Sequence, residues 1–447
     1  MSAISDPSAI LATLLEKAKK AGADAADAVV VHGISLSASY RLGKAEDLER
    51  SEGRDLGLRV FLGHQQAMVS TTDFAEDALD EAVTRALAMA RAVPEDPYCG
   101  LIAPDQLARE WPDLDLVDNR EPEPAQLIEW AKRAEDAARA VPGVTNSEGG
   151  DAGWSRSQVA LATSGGFSGG YEKSSFSFSA SVLAGEDTGM ERDYDWSSAC
   201  FEEDLASPEE IGKNAGVGAV RRLNPKKAPS GQVPVVYDPR VSGGLIRHLS
   251  GAISGASVAR GTSFLKDQLN QLVFAPGLNV VDDPHRKRGA RSRPFDGEGA
   301  QTKARKIIED GILTTWLLDS RSARQLELSS TGHASRGIGG PPSPAPTNLY
   351  LEAGAASPAE LIDDIESGLY VTELIGMGIN GVTGDYSRGA AGFWIDKGEI
   401  AWPVSELTVA SNLKDMFAHL TPANDLNFRY GIDAPTVRVD GMTVAGS

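Results

Sequence analysis

Apolar positions along the chain follow two rhythms, and the switches between them mark the predicted elements. Helical spacing comes first. Leu11, Leu14, Leu15 and Ala18 share a face, with Asp6 as cap, Pro7 at the first position and Gly22 as stop. Alternation takes over through Ala25–Leu42 and Leu48–Ser70, broken by Gly33, Gly43, Gly53 and Gly63. A second helix is predicted from Asp73-Phe-Ala-Glu76, a box-like cap, with Leu79, Val83, Leu87 and Ala90 inward and Pro94 beyond its end. Residues 94–124, rich in proline and acid around Trp111-Pro112, read as a connector. The same order then recurs: a helix over Pro124–Val141, strands through Val144–Trp196, and a helix from the capping box Ser207-Pro-Glu-Glu210 to Leu223. A short phrase recurs too, Ser51-Glu-Gly-Arg-Asp-Leu-Gly57 and Ser147-Glu-Gly-Gly-Asp-Ala-Gly153. These repeats predict an N-terminal α/β domain over residues 1–226, duplicated internally as 1–95 and 122–223.

Asn224-Pro-Lys-Lys-Ala-Pro-Ser-Gly231 is polar and carries two prolines, which suits a linker. Beyond it, residues 231–447 turn to β signals. Glycine turns at Asp310-Gly311, Lys397-Gly398 and Asp440-Gly441 predict antiparallel pairs, and Ser357-Pro-Ala-Glu360 opens a brief helical pattern through a capping box. The expected fold is α+β, its second half an antiparallel β-rich, partly closed barrel. Two segments are too rich in glycine and polar residues for ordinary core: Ser330–Pro341 and Asn380–Gly392. Such glycines serve turns and bulges, or let another backbone such as a peptide come close.

Charge narrows the partners. A formal charge of -20 over 447 residues argues against nucleic acid, whose phosphates need a positive surface, and would repel anionic membranes. No run is apolar enough to span a bilayer, and Met1–Gly22 mixes acids and bases unlike a signal peptide. The two cysteines, Cys99 and Cys200, suit a reducing compartment, so a cytoplasmic protein is expected.

One stretch carries the chemistry. The apolar strand Val233–Tyr237 runs into Asp238-Pro239, a cap followed by proline at the first helical position, and then into a helix with Val241, Leu245, Leu249 and Ala252 on one face. This helix resembles the metal-binding helix of the TldD/PmbA peptidases. Longer phrases agree: Thr347-Asn-Leu-Tyr-Leu-Glu352, Gly381–Trp394 and Ser411-Asn-Leu-Lys-Asp-Met-Phe417, with Phe295–Gly299, Leu317–Ser320 and Ser330–Gly332 in support. The chain is similar to the PmbA (TldE) branch over nearly its whole length.

That resemblance implies a TldD-like catalytic partner, a dimer enclosing a cavity for extended, unfolded peptides, and roles in antitoxin degradation and in maturing modified peptides such as microcins. In TldD the helix carries His-Glu-x-x-x-His, two zinc ligands and a base, with a cysteine near the C-terminus as third ligand. Here those helical places hold Arg247, His248 and Ala252, and Pro422–Gly431 has no cysteine. Arginine and alanine cannot ligate zinc. The implied role is a subunit without catalytic residues, metal or cofactor of its own, inactive alone, with zinc supplied by the partner.

Rival chemistry is thinner. Asp282-Asp-Pro-His285 could bind a cation but adjoins Arg286-Lys-Arg288, and a solvated turn explains it as well. His248 could act as a metal-free base or as a hydrogen-bonded structural histidine. No Gly-x-Ser-x-Gly elbow surrounds Ser250 or Ser254. Peptide-binding candidates are Arg260, Thr262 and Ser263 after the helix and Asp385 and Arg388 in the second glycine-rich segment, though these same residues could simply tie helix and loop together. The other readings are a non-proteolytic peptide-binding or modulator protein acting as a homodimer, and a hydrolase centred on His248.

Overall fold

The computed structural model describes residues 7–446, so the Asp6 cap lies outside the described residues. The N-terminal half holds α1 (Pro7–Lys20), β1 (Ala25–Arg41), β2 (Lys44–Leu62), β3 (Gln65–Thr71) and α2 (Glu76–Ala92). It then repeats the order with α3 (Pro124–Arg139), β4 (Val144–Thr163), β5 (Ser168–Ala184), β6 (Glu191–Ala199) and α4 (Pro208–Arg221). The strands form one antiparallel six-stranded sheet in the order β3-β2-β1-β4-β5-β6. Two meanders therefore meet back to back at β1 and β4, where Ser35 faces Ser155. The recurring phrase does not mark this symmetry, because Ser51–Gly57 lies in β2 and Ser147–Gly153 in β4, which are not equivalent strands.

Burial explains the helices. Leu11 and Leu14 of α1 join Leu79, Val83 and Leu87 of α2 over Val30, Leu58 and Val60 of the sheet. Each such side chain contributes about 1.5–3 kcal/mol when fully buried. In the second copy α3 and α4 close up on small residues. A Cβ on Gly212 would sit 2.0 Å from the Ala134 carbonyl oxygen, so only glycine fits there. The Ser207 cap forms as expected, its Oγ accepting from Glu210 N at 3.1 Å. The Asp73 box does not. α2 starts at Glu76 with Ala75 as its N-cap, and Asp73 Oδ1 accepts from Ala75 N at 2.9 Å, a side-chain turn that stops short of a cap.

The C-terminal half contains β7 (Gly231–Tyr237), α5 (Pro239–Ala252), α6 (Gly255–Ala259), β8 (Val280–Asp282), β9 (Arg305–Glu309), β10 (Ile312–Leu313) and α7 (Ser320–Gln325). There follow β11 (Ala334–Ser335), β12 (Ser343–Pro344), β13 (Leu349–Leu351), β14 (Ser367–Ile375), β15 (Asp385–Asp396) and β16 (Glu399–Asn412). Last come α8 (Leu413–Ala418), β17 (Leu420–Pro422), β18 (Ile432–Asp433) and β19 (Val437–Gly446). Strands β16-β15-β14-β7-β19 close on themselves through β16 pairing with β19, so the barrel is complete where only partial closure was expected. One barrel pairing, β14 with β7, is parallel, made possible by the long excursion between them.

Two glycine signals came out differently. Lys397-Gly398 turns a hairpin between β15 and β16, but Asp440-Gly441 sits inside β19 as a bulge between Val439 and Met442. Pro234 lies opposite, and its missing N–H is tolerated where the ladder is already interrupted. At Ser357 the capping box does form, Ser357 N donating to Glu360 Oε2 at 2.7 Å, yet it holds only turns rather than a helix.

The halves meet on the face of the first sheet that lacks helices. Phe295 inserts among Phe167, Trp111 and Tyr171, with ring centroids 4.8, 5.0 and 5.6 Å away. Beside them Arg59 Nε donates to Asp27 Oδ2 at 3.0 Å, and Arg336 Nη1 reaches Asp27 Oδ1 at 2.5 Å. Asp27 is 1% exposed. Burial alone would raise its pKa, but Arg336 and Arg59 outweigh that and hold it below the ordinary range. The first glycine-rich segment belongs to this seam: a Cβ on Gly57 would lie 2.3 Å from the Ile338 carbonyl oxygen.

Candidate functional site

α5 is set by its two ends. Asp238 Oδ1 accepts from Arg240 N at 2.9 Å, its Oδ2 accepts from the Tyr370 hydroxyl at 2.8 Å, and Pro239 fills the first position. Leu245, Ile246 and Leu249 sink into the barrel core. Gly243 brings the helix against β18, where a Cβ would be 2.7 Å from the Ile432 carbonyl oxygen. This packing turns Arg247 and His248 outward into a cleft of about 680 Å³ between β6, α5 and the barrel strands β14 and β15.

The three helical positions singled out by the resemblance have separate fates. Arg247 is exposed in the cleft, and His248 is half-buried there with its ring edge-on to Tyr386 at a centroid distance of 6.0 Å. Ala252 is buried, and its carbonyl accepts from Ser263 Oγ at 2.5 Å. Burial, then the charges of Arg388 and Arg247, push His248 down to about 4. At neutral pH it is an uncharged ring and a weak base, which gives a metal-free hydrolase little to work with. One imidazole beside two guanidiniums is also no donor set for a divalent cation, so these residues do not fit a zinc ion.

The peptide-binding candidates divide. Arg388 shares the cleft with Arg247 and His248. Ser263 is a correction: it is 2% exposed, and besides holding Ala252 it accepts from Leu265 N at 3.0 Å, so it is a tie beneath the surface. Thr262 is exposed, its Oγ1 donating to the Ser257 carbonyl at 3.2 Å, and Arg260 is exposed at the end of α6. Asp385 is held locally by Thr383 Oγ1 at 2.6 Å and Asn412 Nδ2 at 3.2 Å. The two segments do meet, Phe264 N donating to the Gly381 carbonyl at 2.9 Å, but beside the cleft rather than around it.

Asp282-Asp-Pro-His285 does not gather. Asp282 is buried against His333 Nε2 at 3.3 Å and Thr347 N at 2.7 Å, while His285 pairs with Thr302 Oγ1 at 2.9 Å. The shared phrases around Asp296, Asp319 and Thr347 likewise build the interior. Asp296 Oδ1 accepts from Glu298 N and Ala300 N at 2.9 and 2.8 Å, Asp319 caps α7, and Glu298 takes Ser320 N at 2.8 Å. Burial, then the neighbouring Asp296 charge, push Glu298 up to about 7. Among the described residues no group of three or more His, Cys, Asp or Glu could hold a metal ion.

Sequence reasoning missed the other walls of the cleft. Glu191, Arg192 and Tyr194 come from β6, Arg222 from the end of α4, and Thr372, Glu373 and Leu374 from β14. These are distant in sequence, and no motif joins them. Arg222 is spoken for by Glu373 and, at 3.7 Å, by Glu191. Among the described residues no helix is long and apolar enough to cross a membrane.

Comparisons with known proteins agree with this architecture. The chain matches the PmbA/TldA metallopeptidase C-terminal domain over residues 230–446, the central domain over 118–223 and domain 1 over 26–90. It is 40% identical to Metalloprotease PmbA of Escherichia coli O157:H7 across 95% of this chain and 92% of that one. A Metalloprotease PmbA homolog of Haemophilus influenzae is 38% identical across 97% and 94%. A Bacteroides thetaiotaomicron crystal structure named for modulation of DNA gyrase superposes with a TM-score of 0.91 at 27% identity, covering 99% of this chain and 100% of that one. TldE from Thermococcus kodakarensis shares the fold, with a TM-score of 0.88 at 19% identity over 98% and 100%. Full-length identity and the same order of domains settle the relationship: the chain belongs to the PmbA/TldD metallopeptidase family.

Proposed function

We propose that this chain is the metal-lacking, PmbA/TldE-type subunit of a cytoplasmic TldD/TldE peptidase complex. It shapes the cavity in which unfolded peptides are trimmed, including modified peptides such as microcins, while a TldD-like subunit supplies the zinc. The observation that carries this reading is the trio Arg247, His248 and Ala252 on α5: a guanidinium, a weakly basic ring and a buried methyl group where the resemblance expects two ligands and a base. Open zinc sites keep about three protein ligands, and this helix offers no such set. Support also comes from relatives on both sides of such a pair. Two of those named PmbA match over more than nine-tenths of the chain, and a Metalloprotease TldD homolog of Buchnera aphidicola is 27% identical over 51% of this chain.

The experiment is co-purification with a TldD-like subunit, then metal analysis and peptide cleavage with and without chelator. The expected result is chelator-sensitive cleavage by the pair, and neither stoichiometric zinc nor cleavage for the isolated chain. Robust chelator-sensitive cleavage by the isolated chain would falsify the proposal. Clients captured by a homodimer that never recruits a TldD-like subunit would instead favour a stand-alone peptide-binding role.

A further inference from the structure

Charge in the cleft runs against the rest of the molecule. In a chain of formal charge -20, its walls carry Arg192, Arg222, Arg240, Arg247 and Arg388 against Glu191 and Glu373. Most of these cations are already paired: Arg192 with Glu148 at 2.5 Å, Arg240 with Asp193 at 2.8 Å, and Arg222 with Glu373 and Glu191. Arg247 and Arg388 are different. Neither has an acidic partner among the described residues; Arg388 Nε makes one 3.3 Å bond to the Ile375 carbonyl, and both lie close enough to His248 to depress its protonation. Like charges kept together without a counter-ion raise the energy of the free protein and favour binding an anion.

The wall between them adds direction. Strand β14 pairs with β7 only over Leu369–Val371, so along Thr372–Ile375 the edge away from β15 carries no strand among the described residues. Thr372 Oγ1 is buried at this edge without a partner. Apolar side chains stand at the mouth, with Met377 91% and Met190 44% exposed. Past Arg240 and Thr372 the groove runs on into a second cavity of about 540 Å³. An unpaired strand edge, an apolar rim and an elongated groove suit an extended backbone, and the two spare guanidiniums suit a carboxylate.

From this geometry we infer that the vestigial site is a carboxylate clamp: Arg247 and Arg388 hold a carboxylate of an extended peptide laid along the open edge of β14. The inference rests on the peptide-handling role proposed above and specifies the chemistry that role would recognise. A planar guanidinium can take a carboxylate through two parallel bonds, whether that group is the peptide's C-terminus or an Asp or Glu side chain.

The test uses the full chain and one fluorescent apolar heptapeptide in three forms: free C-terminal carboxylate, C-terminal amide, and amide with one internal Asp. Binding is read by anisotropy for the parent and for Arg247→Gln, Arg388→Gln and the doubly substituted chain. The expected result is that the amide binds about ten- to a hundred-fold more weakly than the acid, and that the double substitution erases this difference. Recovery of binding by the internal Asp assigns the clamp to side chains as well; no recovery assigns it to the C-terminus. Both outcomes support a carboxylate clamp. Equal binding of all three peptides, unchanged by the substitutions, overturns the clamp while leaving peptide handling in place. Binding of none at millimolar peptide overturns both. Should the double substitution instead spare peptide binding and abolish association with a TldD-like subunit, the two arginines are interface residues and the clamp fails.

Discussion

Two arginine-rich places in this molecule invite opposite readings, because one is neutralised and the other is not. At the seam between the halves, Arg59 and Arg336 converge on Asp27, with Glu298 4.0 Å from Arg59, all shut away from water. In the cleft, Arg247 is exposed and Arg388 half-buried, and neither has an acidic partner among the described residues. A buried charge must be paired within the chain or the fold fails, whereas an exposed one can wait for a partner from outside. Pairing thus separates structure from function more sharply than residue type does.

The largest effect should come from unbalancing the seam. Asp27→Ala leaves two guanidiniums buried without their counter-ion, and the expected loss is about 3–5 kcal/mol of stability, measured by urea unfolding at neutral pH. A loss under about 1 kcal/mol would mean that the seam is wetter than its geometry suggests. The halves would then have to be held mainly by the rings around Phe295.

Glu298 sharpens the same side of the comparison. Its folded pKa of about 7 lies above the ordinary glutamate value, so the native state binds the extra proton between about pH 4.5 and 7. Stability from this group is therefore present at low pH and lost as pH rises through that window. Glu298→Gln removes the titration. The melting temperature of the variant relative to the parent should climb as pH goes from about 5 to about 8, and a flat difference would show that Glu298 stays charged throughout.

How much of this was legible beforehand follows from the range of each signal. The elements of the first half could be read because their cues are local: apolar spacing in α1, the Ser207 cap, and the alternation of β5. Failures came where a local cue has two meanings. Asp440-Gly441 fits a hairpin or a bulge equally well, and Pro234 on the facing strand decides. Asp73 and Glu76 have the spacing of a box, yet Asp73 spends its carboxylate on Ala75. At the site, α5 with Arg247, His248 and Ala252 was readable in one stretch. The cleft was not, since β6 and β14 are joined to it only by tertiary packing. Ser263 was misplaced because a polar residue after a helix looks the same whether it faces a ligand or the Ala252 carbonyl.

The smallest effects should come from the cleft, and their smallness is the test. Arg247→Gln and Arg388→Gln remove no internal ion pair, so each should change stability by no more than about 0.5 kcal/mol at neutral pH. Their signature lies in His248 instead. Its pKa near 4 means the folded state resists a proton that the unfolded chain accepts near the ordinary histidine value of 6.5. Stability is thus intact above that value and is lost as pH falls toward 4. Burial is the first cause of the shift and persists in either variant, while the arginine charges add to it. Nuclear magnetic resonance titration of His248 in Arg388→Gln should therefore move partway back toward 6.5 without reaching it. An unmoved titration would mean that Arg388 points away from the ring. The clamp would then lose one of its two arms, and the contrast with the seam would have to be drawn on Arg247 alone.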